Sequence, residues 1–260
     1  MNMPTIGVVG TGDFAAYLIA ALRKGGYRGR ILLSPYSRAK AQTLAATYSC
    51  TLAADNSSLL AEADWILLAV RPEQLANALP NLTLRPGQIL ISAVAGVTIA
   101  ELHAAKGHDI SVVRIMPSSY IEATNEGLIP IYPASHDVEA VLAAAGKVVT
   151  FDTEDQFELA MAGACLAGWA YRFIASLEAW FVVHGLTPAQ ARLLVAGNIA
   201  GATGYALARR DASLEIVSDG IATPGTYTKA GLDHLLKSKA ALPWLEALDI
   251  VFTKLKSAKS

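Results

Sequence analysis

The sequence predicts an α/β protein, a Rossmann-like doubly wound sheet at the N-terminus followed by an all-helical C-terminal domain, and three observations predict it. Up to about residue 151, short β-branched or leucine-rich runs alternate with alanine-rich helical patterns, the rhythm of a parallel sheet covered by helices. A glycine motif, Gly10-Thr11-Gly12 with Ala15, follows the first apolar run and opens the first helical pattern. Beyond Phe151 the strand signals vanish and long helical segments take over, which places the boundary near Asp152, between residues 1–152 and 153–260.

Strands are expected at Thr5–Val9, Arg30–Leu33, Trp65–Val70, Gln88–Ser92, Ser111–Met116, Leu128–Ile131 and Lys147–Phe151. Between them Asp13–Lys24, Arg38–Thr47, Pro72–Leu79, Thr98–Ala105 and Asp137–Ala145 read as helices, each opened by a polar residue or proline. The second part reads as helices over about Glu154–His184, Pro188–Arg209, Ser213–Asp219, Thr226–Ser238 and Pro243–Lys256. Gly185–Pro188, Arg210-Asp211 and Thr223–Gly225 supply the breaks.

Of the 260 residues, 53% are hydrophobic and the mean hydropathy is +0.38, more apolar surface than one soluble core needs. The helical half carries the surplus: Leu177, Trp180, Phe181, Val182 and Val183 occupy more than one face, where a helix over a single core shows one stripe. Burial at about 25 cal/mol per Å² makes a second subunit the natural cover, so an obligate homodimer or higher oligomer is expected. The uncharged run Leu159–Tyr171 stops at Arg172, short of the roughly 20 residues a membrane span needs, and reads as a core or interface helix with no membrane partner.

A net charge of −1 and a pI near 6.5 give no basic field for nucleic acid, and Lys254, Lys256 and Lys259 read as a solvated end. Cys50 and Cys165 lie far apart without a C-x-x-C, which reads as two small buried thiols in a reducing compartment. His103, His108, His136, His184 and His234 form no ligand pattern, so no metal is expected. The first residues run into the glycine motif without a basic export signal, and the expected location is the cytoplasm.

The glycine motif carries the chemistry. Gly10 permits a tight turn, Gly12 lets a pyrophosphate approach, and Ala15 allows close helix–strand packing, while the helix N-terminus offers free N–H groups and a positive dipole end. Gly7, Thr11, Asp13 and Phe14 flank them and are grouped with the cofactor residues. Asp13 would repel a pyrophosphate unless its carboxylate points away or caps the helix. At the end of the second strand, Leu33-Ser34-Pro35-Tyr36-Ser37-Arg38 has no acid to receive ribose hydroxyls. Ser34, Ser37 and Arg38 suit a 2′-phosphate instead, so NADPH is expected over NADH, although Arg38 also reads as a solvated first-turn residue.

Further segments carry a family resemblance. Ala69-Val70-Arg71-Pro72, Ser92-Ala93-Val94-Ala95-Gly96 and Val113-Arg114-Ile115-Met116-Pro117 stand in the order of the V-K-P, S-x-x-A-G and V-R-x-M-P segments of pyrroline-5-carboxylate reductases. Ile221-Ala222-Thr223-Pro224-Gly225-Thr226-Tyr227-Thr228, with Ala230-Gly231-Leu232, resembles that family's V-T-S-P-G-G-T-T-x-x-G-L signature. The resemblance implies NAD(P)H-dependent reduction of a cyclic imino acid, pyrroline-5-carboxylate to proline in the standard case. It implies a cofactor crossing the turns at Ala69, Val70, Arg71 and Pro72, at Ala95 and Gly96, and at Met116 and Pro117. A signature loop from the partner subunit would hold the substrate carboxylate through Thr223, Gly225, Thr226, Tyr227 and Thr228, with Tyr227 and Thr228 as catalytic candidates. Taken without the family, Thr223-Pro224-Gly225-Thr226 also reads as a helix-entry turn.

The substrate side departs from the family. Its M-P-N-x-P becomes Met116-Pro117-Ser118-Ser119-Tyr120, its G-S-G-P-A-Y becomes Leu166-Ala167-Gly168-Trp169-Ala170-Tyr171, and the second glycine of P-G-G becomes Thr226. Tyr120, Trp169 and Tyr227 then either line the substrate pocket or pack elsewhere. Two other readings stand beside the reductase. A β-hydroxyacid dehydrogenase shares the layout, but Glu158–Trp180 contains Arg172 and no lysine. A dinucleotide-binding sensor would have kept the fold and lost the chemistry.

Overall fold

The computed structural model describes residues 3–124 and 127–257; Lys259 lies outside them. The chain divides into two compact units, residues 1–164 with 251–260, and residues 165–250.

In the first unit, β1 (Ile6–Val9), β2 (Ile31–Leu33), β3 (Thr51–Leu52), β4 (Trp65–Leu68), β5 (Ile89–Ser92), β6 (Ser111–Ile115), β7 (Leu128–Tyr132) and β8 (Lys147–Thr150) form one sheet of order β3-β2-β1-β4-β5-β6-β7-β8. The helices between them are α1 (Asp13–Lys24), α2 (Arg38–Tyr48), α3 (Asn56–Glu62), α4 (Pro72–Ala78), α5 (Ile99–Lys106), α6 (Ile121–Thr124) and α7 (His136–Leu142). Strand alternation divides the apolar residues between two cores. Ile6, Val8, Trp65 and Leu67 pack with Leu18, Leu22 and Leu44 on one face, and Val9, Ile66 and Leu68 pack with Leu59, Leu60 and Leu102 on the other. The central strands are buried on both sides, which explains their unbroken apolar runs.

The sheet is mixed, which corrects the expectation of a parallel one: β7 pairs antiparallel with β6 and parallel with β8. After β6 the chain stays extended, the Met116 and Ser118 N–H groups donating to the Pro130 and Leu128 carbonyls at 3.0 Å. Among the described residues before β7 lies the short α6, too little for a helical crossover, and β7 returns antiparallel to β6. The unexpected β3 and α3 are short. α3 opens on Asp55, whose carboxylate accepts from the Ser58 N–H at 2.7 Å, and those bonds lower the Asp55 pKa.

The first unit also holds the start of α8 (Glu154–Val183), where Phe157, Glu158 and Met161 are buried. The uncharged run Leu159–Tyr171 is part of this longer helix, whose 30 residues are long and apolar enough to cross a bilayer by length and composition alone, a measure that core helices also meet. The charges at Glu154, Asp155 and Glu158 sit at its start, and the apolar stretch runs past Arg172.

The second unit contains the rest of α8, then α9 (Pro188–Ala208), α10 (Leu214–Ile221), α11 (Tyr227–Lys237) and the beginning of α12 (Leu242–Ser257). Thr187 caps α9 with Gln190 in a capping box and Pro188 at the first helical position. Trp244 meets Trp169 and Phe173 edge-on, with centroids 6.3 and 5.8 Å away, and Arg192 is paired with Glu178. Neither cysteine is in a disulfide and both are half-buried, and burial raises the pKa of the Cys50 thiol, which keeps it protonated and unreactive.

Candidate active site

Strand order reverses between β1 and β4, and in such sheets the crevice outside the carboxyl ends of the strands is where ligands sit. The turns that close this crevice are Gly10–Gly12, after β1, and Ala69–Arg71, after β4. They touch at Gly10, whose φ of +100° suits glycine and whose hypothetical Cβ would stand 2.5 Å from the Ala69 carbonyl oxygen. Gly12 differs. A Cβ there meets nothing within 4 Å, so its lack of a side chain serves no packing within the chain and leaves open space at the start of α1.

The same turn contains Thr11, only 5% exposed, whose Oγ1 has no hydrogen-bond partner among the described residues. A buried hydroxyl without a partner costs free energy, and a phosphate or ribose oxygen would satisfy it. Gly12 caps α1 without a side-chain bond, so the first N–H groups of the helix are offered at its positive end. Asp13 does not oppose an anion here, because its carboxylate is 75% exposed and 3.4 Å from the Lys40 ammonium. These features fit a dinucleotide pyrophosphate. Phe14 is half-buried beside them, whereas Gly7 has a packing reason of its own: a Cβ would come within 2.5 Å of Leu59 Cδ2.

At the end of β2 the expected donors separate. Ser34 is buried and its hydroxyl donates to Asn56 Oδ1 at 2.7 Å, so that hydrogen already has an acceptor. Arg38, at the start of α2, is exposed and its guanidinium has no partner among the described residues, and Ser37 before it is also exposed. Asn56 was not among the expected residues, although it begins α3 directly after the capping Asp55. Along the crevice, Ala69 and Val70 are half-buried, Arg71 and Pro72 exposed at the start of α4, and Ala95 and Gly96 half-buried before α5. Met116, half-buried, and Pro117, buried, follow β6, and Tyr120 is half-buried ahead of α6.

Arg114, within the Val113–Pro117 motif, was likewise not among the expected site residues. This β6 residue is 1% exposed, and its Nη1 donates to Glu154 Oε1 at 2.6 Å and to Glu158 Oε1 at 2.9 Å. An arginine in a strand pattern reads as solvent-facing, and only the start of α8 supplies the partners that make its burial tolerable.

In the helical unit, Thr223, Gly225, Tyr227 and Thr228 are exposed, with Tyr227 fully so. Gly225 has a φ of +83° and lets the turn close. The Thr226 hydroxyl donates to the Thr223 carbonyl at 2.8 Å and accepts from the Lys229 N–H at 3.1 Å, which makes it the cap of α11. Its oxygen is therefore engaged, and the donors left to an anion are the N–H groups of Tyr227 and Thr228 and the Thr228 hydroxyl. Trp169 is half-buried in the Trp244 cluster.

The fold and its glycine loop define a dinucleotide-dependent oxidoreductase with a helical second part. Residues 5–96 match a family described as NADP oxidoreductase coenzyme F420-dependent, and residues 154–256 match pyrroline-5-carboxylate reductase dimerisation. Pyrroline-5-carboxylate reductase 1 of Bacillus subtilis is 30% identical over 201 residues, which cover 74% of this chain and 67% of that protein. The Vibrio alginolyticus pyrroline-5-carboxylate reductase is 24% identical over 89% of both chains. The fold is shared with the 1-pyrroline-5-carboxylate reductase of Streptococcus pyogenes, with a TM-score of 0.88 at 23% identity over 99% of this chain and 100% of that one. The Plasmodium falciparum pyrroline carboxylate reductase, solved with NADP bound, gives a TM-score of 0.87 at 23% identity over 100% of both. The chain belongs to the pyrroline-5-carboxylate reductase family. Its helical part matches the dimerisation region of that family, which supports homo-oligomer formation.

Proposed function

We propose that this protein reduces pyrroline-5-carboxylate, or a closely related cyclic imino acid, to the corresponding proline with NADPH. The observation that carries this reading is the turn Gly10-Thr11-Gly12, with open space at Gly12 and an unpartnered buried hydroxyl at Thr11, in a chain of this family. Thr11 and the first N–H groups of α1 would hold the pyrophosphate, and Arg38 with Ser37 the 2′-phosphate. The turns at Ala69–Pro72, Ala95-Gly96 and Met116-Pro117 would carry the rest of the dinucleotide. When bound, that group supplies the hydride that reaches the imine carbon.

The remaining work falls to the helical unit. The N–H groups of Tyr227 and Thr228 and the Thr228 hydroxyl would hold the substrate carboxylate at the positive end of α11, in a turn shaped by Thr223, Gly225 and the capping Thr226. This anchors the carboxylate and leaves the ring nitrogen to receive a proton. The Tyr227 and Thr228 hydroxyls are the candidates in this turn to deliver one. In this reading residues 1–152 bind the cofactor, residues 153–260 dimerise and bind substrate, and the partner's loop completes each site.

NADPH consumption with a panel of cyclic imino acids, run beside NADH, tests the assignment. Turnover of pyrroline-5-carboxylate or a close analogue is expected. NADPH binding without turnover of any cyclic imine would leave a dinucleotide-binding protein and overturn the enzyme reading.

A further inference from the structure

We infer that Glu154 is a positioning residue for the nicotinamide half of the cofactor, joining the turns after β5 and β6 through a single carboxylate oxygen. Glu154 Oε1 accepts from the Ile99 N–H at 2.9 Å and from Arg114 Nη1 at 2.6 Å. Ile99 is the first residue of α5 and follows the Ala95–Thr98 turn, whereas Arg114 lies in β6, which runs directly into Met116-Pro117. Two segments from different strands thus share one acceptor at the carboxyl edge of the sheet.

The shared acceptor is held from its own helix. Glu154, Phe157, Glu158 and Met161 fall at helical spacing on one side of the first turns of α8. Glu158 Oε1 accepts from the same Arg114 Nη1, Met161 Sδ receives Arg114 Nη2 at 3.4 Å, and the guanidinium lies 4.8 Å from the centre of the Phe157 ring. Arg114 therefore has no freedom to follow a displaced Glu154, and Glu154 cannot leave Ile99 without leaving Arg114 as well. Stability alone needs no link to Ile99, since Glu158 already pairs the buried arginine. The additional bond ties the start of α5 to β6, and its consequence is the spacing of the two turns that follow those elements.

The inference rests on the reading of Ala95-Gly96 and Met116-Pro117 as cofactor-bearing turns, and the test separates the two. Ile99→Pro removes the N–H together with part of a half-buried apolar side chain: proline is tolerated at a first helical position, and the extended Thr98 before it (φ −81°, ψ 161°) suits a following proline. Glu154→Ala removes the whole link, and Glu154→Gln retains an acceptor oxygen. Each is titrated with NADPH, followed by the fluorescence of the bound nicotinamide, and with 2′,5′-ADP, which probes the adenosine half alone.

For Ile99→Pro and Glu154→Ala, 2′,5′-ADP affinity should stay within about twofold while the bound-nicotinamide fluorescence changes and kcat falls about tenfold or more, with Glu154→Gln restoring most of both. A lower Tm with unchanged fluorescence and kcat would make Glu154 a stability residue only and overturn the inference. Equal losses for NADPH and 2′,5′-ADP would also overturn it. Failure of the unsubstituted protein to bind either ligand would instead refute the cofactor reading on which the inference rests.

Discussion

The α/β unit and the helical unit treat the same kind of residue in opposite ways. In the first, β1, β2 and β4 are buried throughout and helices on both faces enclose their side chains. In the second, Ala191, Val195 and Ala222 are the buried apolar side chains among the described residues, while Leu193, Leu207, Ile216 and Leu236 are each more than 60% exposed. A sheet has two faces that its own crossover helices can cover, but a few helices without a sheet have more apolar faces than mutual contacts. The lesson is that the first unit carries its own core and the second borrows one from another copy of the chain.

The strongest attempt to break that comparison is a charge pair on α9. Leu193→Asp with Leu207→Asp removes two exposed leucines whose burial between copies would contribute about 1.5–3 kcal/mol each. Light scattering should then show monomers, with NADPH turnover lost and the helical signal melting at lower temperature. A stable, active monomer would end the borrowed-core account. As a control, Leu18→Ala in the α/β core should cost about 2–5 kcal/mol of that unit's stability without altering the subunit count.

Alkaline unfolding sharpens the comparison from the other side. Burial pushes the Tyr27 phenol from 10.0 up to about 12, with Arg23 opposing and Asp64 assisting, and its hydroxyl donates to the Pro4 carbonyl. The unfolded tyrosine sheds its proton first, so the stabilisation is fully present below pH 10 and is lost as pH rises towards 12. At most about 2–3 kcal/mol is involved. Tyr27→Phe should flatten the stability profile of the α/β unit across that window. An unchanged slope would place the alkaline transition elsewhere.

Two glycines separate a packing role from a binding role within the first unit. Gly10→Ala forces a Cβ onto the Ala69 carbonyl at a positive φ and should lower stability by about 1–3 kcal/mol. Gly12→Ala meets nothing and should leave Tm in place while weakening NADPH binding about tenfold. If Gly12→Ala lowers Tm and leaves NADPH affinity intact, the open space at this turn is not a phosphate site.

The smallest effect is expected at Arg38, exposed and without a partner among the described residues. Arg38→Ala should narrow the preference for NADPH over NADH by about tenfold, with little change in NADH affinity. Calorimetric titration with both cofactors measures it. An unchanged ratio would return Arg38 to a solvated first-turn residue.

Much of this molecule is written locally. The buried strands declare themselves by apolar runs such as Trp65–Leu68, α1 by its glycine entry and its basic last turn, and α9 by Thr187-Pro188 with Gln190. Those signals lie within a few residues of the structure they specify, so the sequence alone determined the α/β-then-helical order, the glycine turn between β1 and α1 and the surplus of apolar helix faces. The direction of β7, the turning of Ser34 onto Asn56, the burial of Arg114 against Glu154 and Glu158, and the closure of Gly10 on Ala69 were decided only by the tertiary structure. Each depends on a partner distant along the chain, and no local period encodes which distant group will accept a hydrogen bond or occupy the space beside a backbone turn.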